Sequence, residues 1–274
     1  MVVSLFASFM EHLEELRARF IKVGIVLIII FSFILMFRIE YGNLFGINTY
    51  YPSPDAFNNS AAQTFDFIKR TELPPDVQLL QIEVGDAVFI HWKIALGLAL
   101  IIAMPYILYQ FWMFVAPALY KKEKKIIAWA TIPAAILFII GFLFGFFYVT
   151  PLVLKFLFSY SETVLGTKTL GINAFLDFVF IFSAAFGLIF EMPIIMVGLV
   201  KIGIVSSNTW KESWRYAVIG FFIFGAVITP DNSGFTEVII ALPMCLMYLV
   251  GYILSRHIEY QNKRAPFRRV TNDE

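Results

Sequence analysis

Thiols and imidazoles are nearly absent from this chain: Cys245 stands alone in an apolar run, and His12, His91 and His257 lie far apart. A single thiol forbids an internal disulfide, and the whole set is too small for a zinc or iron-sulfur centre, so neither metal nor cofactor is expected. Charge is scarce too. Asp, Glu, Lys and Arg make up 15% of the 274 residues, and the net charge is +1. The basic residues fall in short clusters instead of one stripe, which gives no sign of a nucleic-acid partner. Nucleophile signatures are also missing: there is no Gly-x-Ser-x-Gly, His-Glu-x-x-His or Walker loop, and no Asp pair in facing spans. The chain is therefore not expected to be an enzyme.

What the chain has is apolar length. It is 59% apolar and 18% aromatic with a mean hydropathy of +0.78, the profile of an all-α polytopic membrane protein. One polytopic domain with six spans is expected, at about 21–37, 88–115, 126–149, 177–200, 216–229 and 238–255. The first apolar run follows Glu11, Glu14 and Glu15, so it reads as a retained helix and not as a cleaved signal. An even number of spans puts both termini on one side. Most Lys and Arg lie near the N-terminus (Arg17, Arg19, Lys22), at Tyr120 to Lys125, at Lys201 to Arg215 and in the C-terminal tail, so that side is cytoplasmic. Spans five and six are expected to be short; 216–229 covers roughly 21 Å of a hydrocarbon core about 30 Å thick. The segment 38–87, acidic and proline-bearing with Tyr50, Tyr51, Phe65 and Phe67, reads as a translocated loop or small cap that partly packs on the membrane surface. Pro105, Pro133, Pro193 and Pro243 predict kinked spans and concave surfaces.

Four polar constellations stand out. Glu191 interrupts an otherwise uncharged span, and an acid at that depth costs about 2.5 to 3.5 kcal/mol, so it marks a site facing a cavity or a partner. Ser8 to Arg19 opens on a capping-box pattern, Ser8 then Glu11, and predicts a surface helix. On that helix Met10, Leu13, Leu16 and Phe20 form an apolar stripe, and Glu15 lies four residues from Arg19. Glu123 is a lone acid among four lysines, able to accept an arginine only if those lysines point elsewhere. Thr229 and Glu237 flank a tight link before the last span, where Glu237 is either a helix-capping acid or part of a polar patch.

The order of motifs resembles the TatC family, the multi-spanning subunit of the twin-arginine protein translocase, over nearly the whole chain. It rests on His12-Leu-x-Glu-Leu-Arg-x-Arg19, Pro105-x-x-Leu-Tyr-Gln-x-Trp112 and Phe114-Val-Ala-Pro-Ala-Leu-Tyr-x-x-Glu123. Phe186-Gly-x-x-Phe-Glu-x-Pro193, Thr229-Pro-Asp231 and Ala241-Leu-Pro243 complete it. The resemblance implies a glove-like helix bundle in a prokaryotic cytoplasmic membrane that binds the Arg-Arg pair of export signal peptides on folded cargo, driven by the proton gradient. Carried onto matching positions, it implies that Glu15 and Glu123 contact the pair, with His12, Leu16 and Arg17 in the same site and Glu191 inside the concave face. Thr229 and Glu237 would meet single-span TatA- and TatB-type subunits, and the receptor would form a homo-oligomer surrounded by lipid. Two departures are visible: the segment after Arg38 is longer than expected, and Glu237 stands where related sequences often show Gln. The competing reading is a secondary carrier with Glu191 as its proton or cation site.

Overall fold

The computed structural model describes the backbone of residues 2–44, 47–74, 76–115, 124–165, 169–229 and 234–270. Side chains are described for these except 2–9, 11–12, 44, 47, 115, 124–130, 164–165 and 262–270. Helix α1 (Val2–Met36) runs without a break from the amphipathic start through the first apolar segment. Ser8 lies inside it and not at an N-cap, so the separate surface helix expected from the capping-box pattern is not formed. No Gly or Pro occurs before Gly24, and the Leu, Glu, Arg and Ala of this stretch are strong helix formers, so nothing ends the first helix before the second should begin.

The segment after α1 is folded. Strands β1 (Phe37–Leu44) and β2 (Ile47–Pro54) pair antiparallel with Tyr41 opposite Tyr50, their rings 5.0 Å apart. Asp55 then takes backbone N–H bonds from Asn58 (2.9 Å) and Phe57 (3.0 Å), which hold its carboxyl below the ordinary range. Helix α2 (Ser60–Glu72) starts on Asn59, whose side chain accepts from Ala62 N at 3.0 Å and donates to the carbonyls of Leu35 (3.1 Å) and Ala56 (3.0 Å). Ser60 Oγ donates to Phe37 O at 2.7 Å, and Gln63 exchanges two bonds with the Ile39 backbone. The first turn of α2 is thereby fastened to the end of α1 and to β1.

Strand β3 (Gln78–Leu80) leads into α3 (Asp86–Val115), and pairs in parallel with β4 (Thr169–Gly171) from far along the chain. Asp86, 2% exposed, fixes this junction. Its Oδ2 accepts from the backbone N–H of Ile82 and Glu83, both at 2.9 Å, and its Oδ1 accepts from Asn173 Nδ2 at the start of α6 (Ile172–Phe190). The carboxylate also sits at the favourable N-terminal end of the α3 dipole.

The third apolar segment does not stop near 149. Helix α4 (Lys124–Phe144) passes through a wide π turn, Gly145–Val149, into α5 (Thr150–Leu165). Pro151 has no N–H to return to the preceding turn, and the chain absorbs the lost bond by widening that turn instead of ending the helix. The fourth segment, expected as one span, is α6 followed by α7 (Met192–Lys201), with the break at Glu191 and Pro193 in the first turn of α7. Helix α8 (Ser207–Ile228) is 22 residues because a Ser206 N-cap starts it well before its apolar half. Helix α9 (Phe235–Val270) is 36 residues, so the expected short sixth helix is not found; helix-forming Arg, Glu and Gln carry it past its apolar part. Among the described residues five stretches are long and apolar enough to span a membrane: Leu13–Met36, Asp86–Phe114, Thr131–Thr163, Ile172–Lys201 and Phe235–Gln261. Helix α8 is not among them, since Lys211, Glu212 and Arg215 occupy its first half.

The chain divides into two compact units, Met1–Ala135 with Ser161–Phe180, and Ile136–Tyr160 with Ile181–Glu274. In the first, α1 packs along α3, and Phe180 fills the space left by the missing side chain of Gly97. In the second, α4 and α6 meet at glycines: a Cβ on Gly141 would lie 2.6 Å from Phe186 O, and one on Gly187 would lie 2.6 Å from the Phe138 ring. Phe144 packs on Phe186 and Phe190 at 5.8 and 5.7 Å between ring centres. Helix α9 carries both α7 and α8, with Gly251 set against Pro193 and Met196. Asp86→Ala should strip the acceptor from three donors and cost about 2 to 3 kcal/mol, read as a lower Tm of the detergent-solubilised chain, with Asp86→Asn retaining part of the loss.

Candidate functional site

Glu15 lies on α1 one turn before Arg19, and that spacing puts the two side chains on one face. Arg19 Nε donates to Glu15 Oε1 at 3.1 Å, and its Nη2 donates to the same oxygen. The pairing expected from the sequence is thus formed. Arg19 Nη1 also donates to Gln110 Oε1 at 3.0 Å, and Gln110 Nε2 donates to Tyr106 Oη at 2.8 Å. Arg19 is 17% and Glu15 32% exposed, so the acid is the more accessible partner. Leu16 is half-buried and Arg17 exposed on the same helix.

Gln110 and Tyr106 are not among the site residues expected from the sequence, although Gln110 carries a signal. A Gln within an apolar span needs a partner, and Gln110, 7% exposed on α3, finds it in Arg19 of α1. Glu123 lies outside the described residues, as does the side chain of His12, so the meeting of Glu15 with either is not described.

Glu191 belongs to the second unit. Pro193 cannot donate back to the preceding turn, so α6 ends, and Glu191 becomes the N-cap position of α7 with φ −71° and ψ −19°. Its backbone stays engaged: its N–H reaches Leu188 O at 3.1 Å, and its carbonyl accepts from Ile194 and Ile195 at 3.1 Å each. Its side chain makes no cap bond, is 4% exposed, and leaves Oε1 buried without a partner. The α7 dipole favours negative charge at this end, but a buried oxygen without a donor remains costly. Glu191 is therefore buried with an unsatisfied acceptor.

At the α8 to α9 link, Thr229 is 5% exposed and its hydroxyl donates to Gly225 O at 2.9 Å. Glu237 lies in the first turn of α9, the favourable end for an acid, where Gly225 lets α8 pass close to its backbone. The outward residues of the pair are apolar: Ile219, Ile223, Val227, Val238, Leu242 and Leu246 are all exposed. Among the described residues no His, Cys, Asp and Glu cluster is placed to hold a metal ion.

Residues 11–243 match the family model "Sec-independent protein translocase protein (TatC)". The chain belongs to the TatC family. It is 35% identical over 258 residues to the TatC protein of Cenarchaeum symbiosum, covering 94% of this chain and 98% of that one. The TatC protein of Aquifex aeolicus is 34% identical over 249 residues (90% and 93% covered), and that of Escherichia coli K12 is 31% identical over 245 (89% and 86%). A crystal structure titled as the twin-arginine translocase receptor TatC superimposes with a TM-score of 0.72 at 33% identity, covering 90% of this chain and 99% of that chain. Membership in the TatC family makes the chain a multi-pass membrane component of a protein translocase and not a catalyst.

The unpartnered Oε1 of Glu191 should cost stability. Glu191→Leu, which removes it at similar volume, is expected to add about 1 to 3 kcal/mol of stability, read as a higher Tm of the solubilised chain, with Glu191→Gln falling between.

Proposed function

We propose that this chain is the receptor core of a twin-arginine translocase in a prokaryotic cytoplasmic membrane. It crosses six times, α8 being the fifth crossing, forms a concave glove-like bundle, and keeps both termini in the cytoplasm. Glu15 and Glu123 each take one guanidinium of the Arg-Arg pair of a signal peptide, with His12, Leu16 and Arg17 shaping the same site. Two carboxylates on separate elements read a pair of forks, which a single acid cannot do and for which lysine is a poor substitute. The observation that carries this reading is that Glu15 already holds a guanidinium, that of Arg19, in a half-exposed position. Such an i, i+4 pair is worth only about 0.3 to 0.5 kcal/mol, so an arriving arginine can displace it.

Glu191 then acts later, as a hydrogen-bonding foothold for a segment inserted beside it. The apolar outer faces of α8 and α9, with Thr229 and Glu237 at their link, meet single-span TatA- and TatB-type subunits within an oligomeric complex powered by the proton gradient. A secondary carrier using Glu191 is not favoured by family membership. Glu15→Ala combined with Glu123→Ala should weaken signal-peptide crosslinking roughly hundredfold or more, from the loss of two charge-assisted bonds of about 1.5 to 3 kcal/mol each. Undiminished crosslinking to the double variant refutes the site, and stoichiometric solute flux by the purified chain in liposomes, abolished by Glu191→Gln, restores the carrier.

A further inference from the structure

Glu72 is the last residue of α2, 2% exposed, and neither carboxyl oxygen has a hydrogen-bond partner. It lies outside every stretch able to span a membrane. An acid at the C-terminal end of a helix faces the negative end of the dipole, so ionisation is opposed by position as well as by burial. The two ends of α2 are held differently. Its first turn is fastened through Asn59, Ser60 and Gln63 to α1 and β1. At its far end the backbone bonds are local, Leu73 N to Lys69 O at 3.3 Å and Val77 N to Pro74 O at 3.1 Å. Helix α2 as a whole packs chiefly against α3.

Among the described residues no charge compensates Glu72. On α2 itself, Asp66, Lys69 and Arg70 are exposed. Beyond Lys22, α1 has no titratable residue. On β1, Arg38 is beside Glu40 at 3.5 Å, followed by Tyr41. On α3, Asp86 is bonded to Asn173 and Lys93 to Asp177 at 2.8 Å, leaving His91; Asp76 and Glu83 lie on the connection between α2 and α3. None of these acts on Glu72, whose carboxyl is raised by burial alone to about 8.

We infer that Glu72 is a proton-controlled latch on α2: protonated, it lets the C-terminal end of the helix stay packed, and ionised, it drives that end toward water about the fixed Asn59–Ser60 pivot. The movement has one structural consequence. The chain beyond Glu72 leads directly to β3, so the shift is passed to the β3–β4 pairing. On the topology proposed above, the latch faces the compartment that a proton gradient acidifies, although the latch itself does not rest on that topology.

The sign follows from linkage. Between the ordinary carboxylate range and about 8, the packed form holds a proton that the open form has lost, so opening becomes easier as pH rises; above that both forms are ionised and the dependence ends. Hydrogen exchange of the full chain in lipid nanodiscs, corrected for intrinsic rates, reads the opening constant of the amides from Phe67 to Leu73. It should rise about tenfold per pH unit below the midpoint and level off above it, and Glu72→Gln and Glu72→Leu should both remove the slope. A flat profile in the wild-type chain, which needs no variant to fold, overturns the latch, as does an unchanged slope in either variant.

Discussion

Asp86 is the contact on which the first unit depends. One buried carboxylate ends the turn at Ile82 and Glu83, begins α3, and captures Asn173 at the start of α6. Every acceptor bond it makes joins pieces that are otherwise held by short elements: β3 and β4 contribute three residues each. With α3 fixed at this end, its other end presents Gln110, and Gln110 positions Arg19 of α1. The candidate recognition acid Glu15 is thus placed by a chain of contacts that starts at the opposite end of a 30-residue helix. A rigid helix is what makes this possible, since its length is fixed by hydrogen bonds internal to it.

Four acids in this chain show how environment sets the role of a carboxyl. Asp86 is buried but accepts from three donors, so its oxygens are satisfied and its work is structural. Glu15 is half-exposed and shares its charge with one arginine, an arrangement that is cheap to make and cheap to undo. Glu191 and Glu72 are buried with oxygens that nothing satisfies. Such groups are tolerated where the surrounding packing is strong enough to hold them, and they mark places where a partner, a proton or a conformational change has something to relieve.

The membrane character, the apolar segments and the singular position of Glu191 were legible in the sequence because each rests on composition over about 20 residues or on a charge where none belongs. The pairing of Glu15 with Arg19 was legible because helix spacing alone dictates it. What lay beyond reach was set by contacts distant in sequence. Nothing near Gln110 names Arg19, 91 residues away, and nothing near Asp86 names Asn173, 87 residues away. The segment 38–87 is legible as a loop or small cap but not as strands, because β3 gains its partner only from β4, far along the chain. Helix ends were misplaced in the direction expected when apolarity is taken for helicity: α1, α8 and α9 continue through polar residues that favour helix as strongly as apolar ones.

On the receptor reading proposed above, the resting contact between Glu15 and Arg19 bears on specificity as well as affinity. A site held by an internal guanidinium is electrostatically balanced when empty, so it does not gather stray cations, and only a ligand that offers more than Arg19 does can open it. A single external arginine would exchange one fork for an equivalent one with little gain. Two adjacent arginines, anchored by one peptide backbone and meeting two acids, bring the second contact at high effective concentration, and the surplus appears only for the pair. Gln110 sharpens this balance, because it offers Arg19 a neutral acceptor to retain after Glu15 has been taken, which lowers the cost of displacement without removing the residue that guards the empty site.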